Sequence, residues 1–204
     1  MVQHYFTADL HLCHEKVAKI RGFDSVPDHD YAVIKALSEV AHSGNQIYVL
    51  GDISGGGRET TALGILALTF MHKDADFHLI CGNHDSFHPM HRNYVKNRDS
   101  ALLNAAFKTV DTMGTFRHNK DKVMLSHFPY TGDRGEDRYP EYRLNDVGKP
   151  IVHGHTHSEN VVSYSDKGSL QICVSLDAWG MKPVPKHELV NHIEQANRQG
   201  ENNE

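Results

Sequence analysis

Cysteine is scarce in this chain. The three present, Cys13, Cys81 and Cys173, are an odd number with no CxxC spacing. That excludes a disulfide framework and a zinc ribbon, and it points to a reducing compartment, the cytoplasm. Cys13 and Cys81 lie close to polar motifs described below, but packing accounts for them better than ligation. No stretch approaches the roughly 18 consecutive apolar residues of a membrane span. Met1-Val2-Gln3-His4-Tyr5-Phe6 lacks the basic start and long apolar run of a signal peptide, so no membrane partner is expected. Basic residues are not in excess: 21 Lys and Arg stand against 26 Asp and Glu, a formal charge of −5. Tight, sequence-independent binding to long nucleic acid needs a basic field and is not expected either.

What the chain has in excess is histidine, 17 of 204 residues, without a polyhistidine run. Histidine serves both as a metal ligand and as an acid–base at neutral pH. The length suits one domain, read as residues 1–198 with a polar tail at 199–204. Gln3–Ala8, Gln46–Leu50 and Phe77–Cys81 read as buried strands. Between them, helices are expected from Asp28 or Asp30 to about His42, with Val33, Ile34, Leu37 and Val40 inward, and from Arg58 to Met71, with Leu63, Leu66, Ala67 and Phe70 inward. A short helical piece is expected at Glu15–Ile20. This β-α-β order predicts a mostly parallel sheet.

The second half differs. Residues 87–107 read as surface helix. Thr109–Arg117 with Lys122–Ser126, and Val161–Ser165 with Leu170–Ser175, read as hairpins, Pro150–Val152 as a strand end, and Glu188–Asn197 as a last helix. The expected architecture is an α/β fold, a four-layer α/β/β/α sandwich of two mixed sheets flanked by helices.

Five polar segments stand at the ends of apolar runs: Asp9-Leu10-His11, Gly51-Asp52, Gly82-Asn83-His84-Asp85, Ser126-His127 and Gly154-His155-Thr156-His157. Carboxyl ends of strands are where open α/β sheets build their sites. Asp9 and His11, two apart, would face the same side of a strand. All the donors are oxygen or nitrogen, enough for two metal ions and hence for phosphate-ester hydrolysis. Each segment alone is weak, since Asn and Asp close turns and a lone histidine is usually structural. The order of all five is the informative feature.

That order, D-x-H, G-D, G-N-H-D/E, H, G-H-x-H, resembles the signature of the calcineurin-like metallophosphoesterases across residues 9–157. A weaker likeness at Val174–Trp179 and Pro183-Val184 is to the closing strand of the compact bacterial and phage branch, which includes phosphodiesterases acting on cyclic nucleotides. The resemblance implies that Asp9, His11 and His157 bind one metal, that Asn83, His127 and His155 bind a second, and that Asp52 bridges them. It implies attack on phosphorus by a water or hydroxide between the ions. His84 would stabilise the transition state or protonate the leaving group, and Asp85 would orient His84. With no thiolate in the set, Mn²⁺ is expected, with Fe, Ni, Co and Zn also permitted.

The protein serine/threonine phosphatases of the superfamily carry G-D-x-x-D-R-G and G-N-H-E. The chain has Gly51-Asp52-Ile53-Ser54-Gly55-Gly56-Gly57 and Asp85 instead, which counts against that branch. The expected activity is hydrolysis of small phosphodiesters such as 2′,3′- or 3′,5′-cyclic nucleotides. The alternatives are a phosphomonoesterase acting on nucleotides or phosphoproteins, a nuclease for short single strands, and a metal-stabilised interaction module. His14 is placed at the mouth of the site. Arg134, Arg138 and Arg143, with Tyr139 and Tyr142, are candidates to grip a phosphate and stack on a base. His72, His78, His88, His91 and His118 read as surface residues, and Trp179 as a core or interface anchor. The sequence leaves the oligomeric state open, a homo-oligomer among the options.

Overall fold

The computed structural model describes residues 2–71, 75–133 and 135–201. His72 and Arg134 lie outside the described residues. The first sheet is built from β1 (His4–Thr7), β2 (Asn45–Val49), β3 (Ala75–Ile80) and β4 (Thr109–Asp111), all parallel. Antiparallel β10 (Val184–Pro185) pairs with β1 at the edge. Alternating burial in β2 and β3 reflects side chains turned to two packed faces. Three helices return the chain between the parallel strands: α1 (Glu15–Ile20) with α2 (Val26–Ser38), and then α3 (Arg58–Met71). Two short helices, α4 (Tyr94–Arg98) and α5 (Ala101–Ala106), precede β4.

The second sheet has the order β5 (Met113–His118), β6 (Asp121–Ser126), β7 (Ile151–His153), β9 (Leu170–Cys173), β8 (Val162–Tyr164). Its three central strands are parallel and both edges antiparallel. Phe6, Ala8, Leu50 and Ile80 of the first sheet pack against Val123, Leu125, Val152 and Ile172 of the second. The other face of the first sheet is covered by α2, α3 and α5 through Val33, Leu37, Ile65, Leu68 and Leu103. Helix α6 (Lys186–Glu201) adds Leu189 and Ile193 to the intersheet core. Two mixed five-stranded sheets flanked by helices are the expected sandwich. Among the described residues no helix is long and apolar enough to cross a membrane.

Several local expectations are corrected. The N-cap of α2 is Ser25, whose hydroxyl accepts from the Asp28 amide, so the helix begins earlier and stops at Ser38. The stretch Thr109–Arg117 is not one strand: β4 joins the first sheet and β5 the second, with the break at Thr112. Val174–Trp179 is not a strand throughout, since Leu176–Trp179 form a 3-10 turn. Helix α6 runs on to Glu201 rather than ending near Asn197.

The largest correction is to α3. Leu63, Leu66 and Phe70 are exposed, and Thr61, Ile65 and Leu68 face inward. Both stripes carry the 3.6 period, and the intervening Gly64 lets the second lie close against Leu12 and Ile53. Leu68→Ala is therefore expected to cost about 2–5 kcal/mol. Leu63→Ala is expected to cost no more than about 0.5 kcal/mol. Denaturant midpoints of the two variants check this, and a larger loss at Leu63 would reverse the assignment of faces.

Candidate active site

All five polar segments meet where the carboxyl ends of the parallel strands of both sheets face one another. The loops after β1 and β2 are laced together: the amides of Asp9, His11 and Leu12 donate to the carbonyls of Gly51, Asp52 and Ile53, at 3.0, 3.0 and 2.9 Å. Gly51 has φ +88°, and a Cβ there would collide with the His127 ring and the Gly82 backbone. Only glycine lets β2 turn this sharply against the second sheet.

Asp9 and His11 do not share a strand face, because β1 ends at Thr7. They converge through left-handed backbone, φ 56° and 47°. Asp52 (57°), His155 (70°) and His157 (48°) do the same. Non-glycine residues in this region are uncommon and cluster at functional sites. Here each reversal aims a polar side chain at one point.

The donor atoms at that point are close. His11 Nε2 lies 3.0 Å from His157 Nε2 and 3.7 Å from Asp52 Oδ2. His157 Nε2 is 3.7 Å from Asp9 Oδ1. On the other side, His127 Nε2 is 3.5 Å from Asp52 Oδ2 and 3.1 Å from Asn83 Oδ1. His155 Nδ1 is 2.9 Å from Asn83 Oδ1. Asp9, His11 and His157 thus form one group, and Asp9 with Asp52 and His127 forms another that shares Asp9. Asp52 lies between the two histidine sets, and its other oxygen accepts from the His84 amide at 2.8 Å.

The outer nitrogens of the histidines decide which atom faces inward. A carbonyl or carboxylate can only accept. His127 Nδ1 therefore donates to the Leu50 carbonyl at 2.7 Å and His157 Nδ1 to Asp177 at 3.0 Å; His155 Nε2 meets both Asp133 at 2.8 Å and Arg138 Nη2 at 3.1 Å, and its proton is assigned to the shorter contact, the carboxylate. In the neutral rings each inward nitrogen is then a lone pair, and it faces carboxylate, amide and imidazole acceptors. Such a set repels itself unless a cation sits within it, so these residues fit divalent metal ions.

The local field agrees. Burial disfavours a proton on His127, yet the Asp52 and Asp9 carboxylates outweigh it and raise its pKa. Burial chiefly, with the neighbouring His127, pushes His155 down to about 3. Burial also holds His11 well below the usual range, with His157 adding to it.

His84 sits above Asp52, with Nε2 4.0 Å from Oδ2 and the side chain 36% exposed. Its Nδ1 is 3.3 Å from the Gly55 carbonyl. Among the described residues the Asp85 carboxylate has no hydrogen bond to the His84 ring, contrary to expectation. Its buried carboxylate instead accepts the amides of Asp52, Ile53 and Gly82, at 2.9, 3.1 and 2.7 Å. Charge satisfied by three backbone donors ties the β2 and β3 loops together. His14 caps α1 through its Nδ1, and its ring meets those of His11 and His84 edge-on at 5.2 and 6.1 Å.

Of the described arginines in the loop after His127, Arg138 lines the cleft beside His155. It spends Nε and one Nη on Asp133, both at 3.0 Å. Arg143 is not available for phosphate: it binds the carbonyls of Arg138 and Pro129 and the carboxylate of Asp133, with 5% exposure. Tyr142 packs edge-on against His88 rather than toward the cleft. His88 itself is buried, not superficial, with its ring also against Phe128. His91 Nε2 meets the Asn83 carbonyl at 3.0 Å. Asp133, Asp177 and Arg21 escaped the sequence reading, because nothing in their spacing marks a carboxylate that a distant arginine will neutralise.

The cleft over these groups has a volume of about 1090 Å³. A family model described as calcineurin-like phosphoesterase matches residues 5–159, the span that holds every one of the donors above. The chain belongs to the calcineurin-like phosphoesterase family. It is thereby a metal-dependent phosphoester hydrolase. This phosphoesterase is also similar to the Gene 66 protein of Mycobacterium phage L5, with 38% identity over 93% of this chain and 94% of that one. The Gene 66 protein of Mycobacterium phage D29 is likewise 38% identical, over 94% and 97%. A solved structure of a protein of unknown function from Aquifex aeolicus shares the fold, with TM-score 0.66 and 18% identity, covering 94% of this phosphoesterase and 99% of that chain.

Proposed function

We propose that this phosphoesterase is a dinuclear enzyme that hydrolyses small phosphodiesters, such as 2′,3′- or 3′,5′-cyclic nucleotides. The observation that carries the reading is the cluster of lone pairs on either side of Asp52, which lines a cleft large enough for a nucleotide-sized ligand. Asp9, His11 and His157 would hold one ion, and Asn83, His127 and His155 the other, with Asp52 shared. Mn²⁺ is the favoured metal on donor type. Two bound divalent ions supply an acidified water and neutralise phosphoryl oxygens.

The chain's own groups set the preference for a diester. The described cations lining the cleft are Lys16, Arg21 and Arg138. Arg21 is paired with Asp177 and Arg138 with Asp133. With both arginines held by carboxylates, few cationic side chains are free to turn toward the second negative charge of a monoester, whereas a diester carries only one. Arg138 and His14 line the cleft and would touch the substrate. The Gly55 carbonyl keeps the proton of a neutral His84 ring on Nδ1, so Nε2 carries one only as imidazolium. In that form it offers both a positive charge and a transferable proton.

The test uses chelator-stripped protein with Mn²⁺ restored. Turnover of bis-p-nitrophenyl phosphate is expected to exceed that of p-nitrophenyl phosphate by at least about tenfold in kcat/KM, roughly 1.4 kcal/mol of transition-state preference. The opposite preference would mark a phosphomonoesterase, and no metal-dependent turnover of either would remove the enzyme reading.

A further inference from the structure

Two histidines of the site are backed in the same way, one on each side of Asp52. His157 donates from Nδ1 to Asp177, and Asp177 receives Nε and Nη2 of Arg21 at 3.0 and 2.8 Å. His155 donates from Nε2 to Asp133, and Asp133 receives Arg138 and Arg143. Most of the supporting groups are interior: the side chains of Asp133, Arg21 and Arg143 are exposed by 0, 4 and 5%, whereas Arg138 stands at the rim. The two histidines present opposite nitrogens inward, Nε2 from His157 and Nδ1 from His155. In both, the aspartate decides which.

We infer that Asp177 and Asp133 are positioning residues that set the metal affinity of the two sides of the site separately. This rests on the proposed dinuclear site. An aspartate with no counter-charge would draw the imidazole proton toward itself. Paired with arginine, it remains an acceptor and leaves the ring a neutral donor with its lone pair inward.

The two sides are not equivalent. Arg21 Nη2 also binds the Asp9 carbonyl at 2.8 Å, so the Asp177 relay steadies a second ligand. His11, the other imidazole there, has a buried Nδ1 with no hydrogen-bond partner among the described residues. The first side therefore depends on Asp177 for the orientation of its one backed imidazole. On the other side His127 has its own anchor, the Leu50 carbonyl.

Calorimetric titration of metal-stripped protein with Mn²⁺, alongside its EPR spectrum, tests this without turnover. The unsubstituted chain is expected to take up two ions and give an exchange-coupled spectrum. Asp133→Asn and Asp177→Asn are each expected to weaken one ion by about 10- to 100-fold. At Mn²⁺ concentrations that fill the parent, each variant then gives the spectrum of an isolated ion.

A background of His127→Ala, which removes a ligand of the second side, assigns the sides. There Asp177→Asn still weakens the remaining ion, and Asp133→Asn leaves it unchanged, because the two perturbations then share one site. A purely structural role would lower Tm of the stripped protein and leave both affinities alone. Two ions bound within about twofold of the parent in both variants would overturn the inference by itself. No Mn²⁺ uptake by the unsubstituted chain would overturn the dinuclear reading and this inference together.

Discussion

His84→Ala, in protein restored with Mn²⁺, is expected to lose about 10²- to 10⁴-fold in kcat and to keep both ions. The ring is outside the donor set: its Nε2 is 4.0 Å from Asp52, and its Nδ1 meets the Gly55 carbonyl. Binding and chemistry should therefore separate in this variant. The size of the loss should also depend on the leaving group. A p-nitrophenolate departs without a proton, whereas the alkoxide of a ribose hydroxyl needs one. If His84 delivers that proton, His84→Ala is close to harmless on nitrophenyl esters and severe on cyclic nucleotides. If it only stabilises the charge on phosphorus, both substrates suffer alike. Measuring kcat against leaving-group pKa for the parent and the variant distinguishes the two. Unchanged kcat on every substrate would take His84 out of the chemistry, and loss of Mn²⁺ would make it a ligand.

What the sequence carried was local. A short apolar run ending in Gly-Asp or Gly-Asn-His reports a strand and its polar end whatever lies elsewhere, and five such ends in order were enough to place the donors. The helix α3 was different. Its two apolar stripes, Leu63-Leu66-Phe70 and Ile65-Leu68, have the same period, and only the approach of Gly64 to Leu12 and Ile53 decides which one is buried.

The arginines after His127 illustrate a second limit. Its place in a mixed-charge loop makes Arg143 a candidate phosphate contact, but a carboxylate ten residues upstream and the backbone of Pro129 and Arg138 engage all three of its nitrogens. Asp133 and Asp177 were invisible for the complementary reason, since a second-layer carboxylate has no spacing to betray it. The strained positions were also illegible. Asp9-Leu10-His11 suggests one strand face, and the fold reaches the same convergence by turning Asp9 and His11 left-handed.

Asp85 is where the two kinds of information conflict most, and Asp85→Ala separates them. Motif logic makes the carboxylate a partner of His84, which predicts a stable variant with low kcat. The geometry predicts an unstable one. Removing the side chain leaves the amides of Asp52, Ile53 and Gly82 buried without their acceptor. Each orphaned donor costs about 1–3 kcal/mol, so the sum is on the order of 3–9 kcal/mol against a typical total stability of about 5–15 kcal/mol. For a chain of this size that is a fall in Tm on the order of 10 °C or more.

Burial and the Asp52 carboxylate push Asp85 up to about 6, against the pull of the Gly82 and Ile53 amides. Asp85→Asn keeps one acceptor oxygen and is expected to recover part of the loss in Tm. Thermal melts of the two variants, read beside kcat of whatever remains folded, decide between the roles. A graded fall in Tm from parent to Asn to Ala assigns Asp85 to the loops that carry Asp52 and Asn83. An unchanged Tm with reduced kcat in both would return it to His84.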